Sequence, residues 1–370
     1  MTPRVLTELT ASGVSVWLDD LDRSRLDSRA GERSLHHLID ARAVRGVTTN
    51  PTIFDRAVGS GAHQYSAQLN ELALADVDVD AAIIAVTTDD VRAACDVFTP
   101  VWEHTDGRDG RVSIEVDPRL AHDSDGTIAQ ARELWQRVDR PNAMIKIPAT
   151  LAGLPAITEV LALGISVNVT LIFSVDRYLE VMAAHQEGLR RAHSAGLSLS
   201  GIESVASFFI SRVDTAVDAQ LAGRQSVDHL LGRAAIANAQ LAWAAYLAHT
   251  ASNEWATLAA QGAHAQRPLW ASTGVKDPAF DPTRYVVELA APGCVNTMPE
   301  TTLRAVAESG VFRGDTMTGR ADEAADFFRE LAEAGVDMAE ICRSLESAGV
   351  QSFIDSWEAL RATVASALTR

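Results

Sequence analysis

Short apolar runs rich in β-branched residues alternate with helix-patterned stretches along almost the whole chain, and this alternation constrains the fold more than any other feature. Strands are predicted near Val14–Asp20, Gly46–Asn50, Val112–Asp117, Ala143–Ala149, Val167–Phe173, Ser204–Phe209, Pro268–Thr273 and Tyr285–Ala290. Strand and helix taking turns in this way predict a parallel (β/α)8 barrel. A doubly wound sheet would alternate as well. It usually carries a glycine-rich phosphate loop after its first strand, and neither G-x-G-x-x-G nor G-x-x-x-x-G-K-[ST] occurs here. The 370 residues exceed the usual domain size, yet such barrels run as one unit. No linker or repeat divides the sequence, so a single domain over 1–370 is expected.

Two segments go beyond a minimal barrel. Asp55 to Gly110 should form three helices after the second strand, one starting at Thr88-Asp89-Asp90 and running through Val91, Cys95 and Phe98. The apolar stretch Ala81–Val86 is read as helix rather than strand. After Pro299 the pattern is helical to the end, with Val350, Phe353, Ile354, Trp357, Leu360, Val364 and Leu368 at spacings of three and four. That stripe is expected to pack on the barrel.

Charge narrows the function. With 32 basic and 49 acidic residues the net charge is −17, and no polybasic tract exists. Bulk electrostatics therefore exclude nucleic acid and anionic membrane as partners, and an anionic substrate would need a local cluster of cations. No apolar run approaches the roughly 18 residues of a membrane span, and MTPRVLTELTASG lacks the apolar core of a signal peptide. Cys95, Cys294 and Cys342 are far apart and odd in number, which gives neither a disulfide framework nor a metal motif, and the histidines show no ligand spacing. A soluble, cytoplasmic protein is expected.

Of the 32 cations, all are arginine except Lys146 and Lys276. Arginine serves wherever a positive charge suffices, but its guanidinium is a poor nucleophile, whereas a desolvated lysine can attack a carbonyl. In Ala143-Met-Ile-Lys-Ile-Pro-Ala149, period-two alternation puts Ile145 and Ile147 on one face and Met144 with Lys146 on the other, the barrel interior. Lysine is almost never fully buried without a partner. A buried ion pair would explain it; so would chemistry. Other strands favour chemistry by adding polar groups at their ends: Asp19 and Asp20 on the first, Thr48 to Asn50 on the second, Glu115 and Asp117 on the third, Asn168 and Thr170 on the fifth, Ser207 on the sixth and Ser272 on the seventh. Taken singly, Asn50 and Asp20 read as helix caps and Thr170 as an ordinary strand residue. Together they would converge on the face where barrels build active sites.

These segments resemble a known family. Gly46-Val-Thr-Thr-Asn-Pro-Thr-Ile-Phe54 is similar to the first transaldolase signature, and Met144-Ile-Lys-Ile-Pro-Ala-Thr-Leu-Ala-Gly153 to the second, with the Schiff-base lysine in register. Val167–Ser174 and Val205–Arg212 look like the family's fifth and sixth strands. The resemblance runs from about Val14 to the C-terminal helices. It implies a class I aldolase-type barrel that moves a dihydroxyacetone unit between sugar phosphates in the non-oxidative pentose phosphate pathway, with no metal and no organic cofactor, as a monomer or homodimer. Through those motifs Lys146 would be the nucleophile and Asp19, rather than Asp20, the general acid/base. Glu115 and Thr170 would hold a proton-shuttling water. Asn50 and Asn168 would bind hydroxyls of the three-carbon unit, Ser207 and Phe209 would line the pocket, and Arg212 would grip the phosphate.

One segment departs from the commonest pattern. Many relatives have a short Ala-Ser-aromatic-Arg motif on the seventh strand, where this chain has Trp270-Ala-Ser-Thr-Gly-Val-Lys276. The longer form resembles transaldolases fused to phosphoglucose isomerase, although this chain is too short to include that second enzyme. Ser272 carries over, and Lys276 is expected to replace the missing arginine, with Arg284 as the next candidate. The nearest rival is a fructose 6-phosphate aldolase that releases free dihydroxyacetone; those resemble much shorter barrels. A non-catalytic sugar-phosphate-binding barrel is the rival from another class, and Lys146 in register argues against it.

Overall fold

The computed structural model describes residues 2–369. Eight parallel strands close into a barrel in chain order: β1 (Ser15–Leu18), β2 (Val44–Val47), β3 (Arg111–Glu115), β4 (Ala143–Pro148), β5 (Val167–Ile172), β6 (Ser204–Phe209), β7 (Arg267–Ala271) and β8 (Val295–Met298), with β8 paired back onto β1. Seven lie where the alternation placed them, within a few residues. The eighth does not. Tyr285-Val-Val reads as a β-branched run, but Arg284–Val287 is a short helix introduced by Asp281, whose carboxylate accepts from the Thr283 amide and hydroxyl. These residues are apolar because they are buried, and burial alone does not distinguish helix from strand. The true β8 is only four residues long and holds Asn296 and Thr297, which masks its character.

Inside the barrel the side chains form polar layers. At the bottom, Arg267 on β7 donates to Ser15 Oγ on β1 and pairs with Asp109 at 3.0 Å; Asp109 also accepts from Ser15 and the Trp17 indole. Trp17 fills the lower barrel because Gly46 leaves room: a Cβ there would lie 2.6 Å from its ring. Above it, Asn168 on β5 donates to Ser113 Oγ on β3 and accepts from Ser207 Oγ on β6. The strand register then sets Glu115, Lys146 and Asn168 side by side on β3, β4 and β5.

After β2, helices Pro51–Ser60, Ala62–Leu74 and Val79–His104 give the three expected, and Ala81–Val86 is helical. The third starts earlier than predicted, capped by Asp78 on the Ala81 amide. Thr88 cannot serve as the start, because Thr87 and Thr88 donate back to the carbonyls of Ile83 and Ile84 within the helix. Asp20 likewise is not a cap; it pairs with Arg25 and Arg56, and Asp22 caps the next turn.

Helices Glu300–Ser309, Ala321–Glu333 and Met338–Leu368 complete the chain. In the last, Val350, Phe353, Trp357, Leu360 and Val364 are buried and Ile354 and Leu368 are partly buried, so the predicted stripe is a packing face. It lies against helix Pro51–Ser60 and the C-terminal end of β5. No helix among the described residues is long and apolar enough to cross a membrane.

Candidate active site

Lys146 projects from the middle of β4 into the top of the barrel interior and is 4% exposed. Its Nζ donates to the Thr49 carbonyl at 3.0 Å and lies 3.3 Å from Glu115 Oε2, an ion-pair contact outside hydrogen-bond geometry. The ion pair that the sequence allows is therefore present, and the same amine also lines an open cavity. Burial pushes the Glu115 carboxyl up to about 7, against the opposing pull of Lys146.

Asp19 follows β1 and reaches the same space. Its carboxyl is also raised by burial, while Lys146 and a hydrogen bond from Thr48 pull the other way. Thr48 Oγ1 donates to Asp19 Oδ1 at 2.7 Å and sits 2.7 Å from Thr297 Oγ1. Since Thr48 has one hydroxyl proton and spends it on Asp19, Thr297 must donate to Thr48. Two strand-end threonines therefore fix the Asp19 carboxylate.

A cavity of about 80 Å³ opens beside the amine and is lined by Lys146, Asp19, Asn50, Ser207, Phe209, Arg212 and Ser272, with Thr48, Thr297, Ala271 and Phe353. It leads into a mouth of about 710 Å³, where Lys276 joins Asp19, Asn50 and Arg212. Asn50 caps helix Pro51–Ser60 through Oδ1, yet its amide nitrogen has no protein partner among the described residues and it lines the cavity too. Asn168 lies deeper, fully buried and engaged by Ser113 and Ser207. Thr170 is buried, its hydroxyl without a partner among the described residues, next to a bulge in β5 where Leu171 takes φ 60°. Ser272 also has a left-handed backbone, φ 56°, with its hydroxyl 3.0 Å from Ser211 Oγ.

Arg212 is half sunk beside the Phe209 ring at 5.4 Å, its guanidinium pKa pushed down by burial. Neither Arg212 nor the exposed Lys276 has a carboxylate partner among the described residues. Arg284 is removed as a candidate. It points away from the mouth, donates to the Gly232 carbonyl and stacks on Phe280.

A family model described as transaldolase/fructose-6-phosphate aldolase matches residues 16–364. The chain belongs to this transaldolase family. It is 59% identical over 358 residues to the transaldolase of Mycolicibacterium paratuberculosis, covering 96% of this chain and 95% of the relative. The transaldolase of Mycobacterium tuberculosis is 57% identical over 359 residues, with the same coverages, and that of Mycobacterium leprae 57% over 358, covering 96% and 94%. The family assignment makes the barrel a transferase of the aldolase type and agrees with the signatures around Asn50 and Lys146.

Sequence reasoning passed over three contributors to this transaldolase-family site. Thr297 was hidden by the misplaced eighth strand. Thr49 stands out in the sequence only for its polar side chain, whereas it is its carbonyl that accepts from the amine. Phe353 reads from sequence as packing alone; its spacing gives its burial but not its position over Lys146, 5.7 Å from ring centroid to Nζ.

Proposed function

We propose that the protein transfers a dihydroxyacetone unit between sugar phosphates through a Schiff base on Lys146, converting sedoheptulose 7-phosphate and glyceraldehyde 3-phosphate into erythrose 4-phosphate and fructose 6-phosphate. The observation that carries this reading is one buried amine facing a cavity that a carboxyl, Asp19, also lines.

The neutral amine attacks the ketose carbonyl, and loss of water gives a protonated imine. Glu115 and Thr170 are suited to that step. Glu115 Oε2 and Thr170 Oγ1 are buried without hydrogen-bond partners among the described residues, so each has capacity for a water, and a carboxyl near 7 can give and take a proton at neutral pH. Asp19 removes the proton from the hydroxyl beside the bond to be broken; the carbon–carbon bond opens, the aldehyde departs and the electron pair enters the imine. The resulting enamine attacks the incoming aldehyde, whose oxygen takes the proton back from Asp19. Hydrolysis of the new imine frees the amine. The Asn50 amide nitrogen and Ser207 face the three-carbon fragment, Asn168 holds Ser207 from below, and Phe209 and Ser272 wall the cavity. Arg212 with Lys276 takes the phosphate. The working unit is read as a cytoplasmic monomer or homodimer acting on small molecules, with neither metal nor organic cofactor, because the imine itself is the electron sink.

The family model spans both transfer and simple cleavage, and the relatives named as transaldolases favour transfer. The test is borohydride reduction in the presence of fructose 6-phosphate followed by peptide mass analysis. A reduced three-carbon adduct on Lys146 is expected; an adduct on Lys276, or none during turnover, sinks the mechanism.

A further inference from the structure

The C-terminal helix Met338–Leu368 does more than cover apolar surface. Gly349, Phe353 and Trp357 recur at intervals of four and so share one face, and that face crosses the open end of the barrel. Gly349 permits a close approach: a Cβ there would lie 2.9 Å from Leu171 Cδ2 and 3.6 Å from Arg212 Nη1. One turn on, Phe353 is 4% exposed, lines both the cavity and its mouth, and presents its ring to Lys146 Nζ at 5.7 Å. One further turn on, Trp357 borders a small cavity with Asn50 and Glu115. Polar contacts fasten the helix beyond the ring. Ser356 Oγ meets Thr52 Oγ1 at 2.7 Å, and Arg361 pairs with Asp80 at 2.8 Å.

We propose that Phe353 is a specificity-determining residue: its ring shields the covalent three-carbon intermediate from bulk solvent, so that the intermediate waits for an aldehyde instead of being released. This rests on the reading of Lys146 as the imine-forming amine. After the first aldehyde leaves, the enamine has two fates. In transfer, its carbon attacks an aldehyde and a carbon–carbon bond forms. In release, the same carbon takes a proton from solvent, giving the imine of dihydroxyacetone; one water then adds to the imine carbon, the carbon–nitrogen bond breaks, and free dihydroxyacetone and the amine result. Both fates end in imine hydrolysis, so water beside Glu115 serves either. They differ in whether solvent protonates the enamine carbon first. A ring held over the amine by a fastened helix obstructs that route, and its π face favours a cationic imine without offering a proton.

The test uses the full-length protein and its Phe353→Ala and Phe353→Leu variants with fructose 6-phosphate. Free dihydroxyacetone is measured without acceptor, and sedoheptulose 7-phosphate formation with erythrose 4-phosphate, reading the ratio of release to transfer. Phe353→Ala should raise that ratio about tenfold or more, and Phe353→Leu, which keeps bulk but loses the ring, by less. A merely structural role would lower both rates together and leave the ratio unchanged, and that outcome in either folded variant overturns the inference. Borohydride labelling of the unaltered protein separates the two levels. Normal labelling of Lys146 beside an unchanged ratio refutes only the role of Phe353, whereas no labelling removes the imine reading and this inference with it.

Discussion

Replacing Glu115 with glutamine should change how the stability of this protein depends on pH, and the size of the change follows from the geometry. The carboxyl is buried beside Lys146 and pushed up from 4.5 to about 7. Burial is the dominant cause; Lys146 at 3.3 Å offsets part of it. Because the folded-state value lies above the unfolded one, the native protein keeps this proton between about pH 4.5 and 7 while the unfolded chain has released it. The contribution to stability is therefore fully present below the unfolded value and is lost as pH rises through the folded one. At about 1.4 kcal/mol per unit, the loss complete above pH 7 is on the order of 3 kcal/mol, most of it accumulating from pH 5 upward. Glutamine keeps the shape and cannot ionise. Urea unfolding of both proteins at pH 5, 6, 7 and 8 isolates the effect as a difference between two curves. The wild type should lose about 2–3 kcal/mol relative to Glu115→Gln across that range. Lys146→Met should move the window upward, since the charge that favours ionised Glu115 is gone. A difference that stays flat from pH 5 to 8 would refute the claim that burial holds a proton on Glu115.

Lys146→Arg keeps the charge and removes the nucleophile, so borohydride labelling should vanish and activity should fall by about three orders of magnitude or more, read in a coupled transfer assay. Thr48→Val removes the donor to Asp19 and leaves Thr297 unpaired; a lost hydrogen bond to a charged group is worth about 1.5–3 kcal/mol, which predicts a fall in kcat of roughly 10- to 100-fold, together with a lower thermal unfolding temperature because the buried Thr297 hydroxyl loses its acceptor. Arg212→Ala and Lys276→Ala should each weaken phosphorylated acceptors strongly while leaving the slow reaction with an unphosphorylated aldehyde almost unchanged, measured as separate kcat/KM values. If Lys276→Ala treats both acceptors alike, Lys276 is a surface lysine with no part in phosphate binding.

The barrel was legible because its strands are buried on both faces and must be apolar on one of them, a pattern that survives in any single sequence. β4 shows this well: Ile145 and Ile147 pack outward, so Lys146 has to point inward. β8 failed for the converse reason. Four residues carrying Asn296 and Thr297 offer too little periodicity, and the buried helix at Arg284–Val287 offers the wrong kind. The site was legible where chemistry and strand ends coincide, as at Asp19, Asn50 and Ser272. It was not legible where a residue arrives from elsewhere in the chain. Nothing local to Phe353 distinguishes it from Val350 or Leu360 on the same stripe; only the path of the helix over the barrel does so.

The proposed phosphate site has to work within a very acidic chain, and the charges lining the mouth say why its two proposed ligands should matter more than their number suggests. Six cations line it against four carboxylates, a local excess opposite in sign to the −17 of the whole chain. Four of the six are already committed. Arg25 is shared by Asp20 and Glu300, Arg56 is held by Asp20, Arg33 by Asp22 and Arg304 by Glu300. A guanidinium engaged by a carboxylate must give up that contact to bind an anion, so these pairs shape the wall and contribute little net attraction. Among the described residues, Arg212 and Lys276 carry no such commitment. Screening confines electrostatic help to roughly 8 Å at physiological salt, which makes the remote acidic surface nearly irrelevant and the two free cations decisive. Loss of Arg212 therefore removes one of two available ligands rather than one of six, and none of the other arginines can compensate without first breaking an ion pair that holds the mouth in shape.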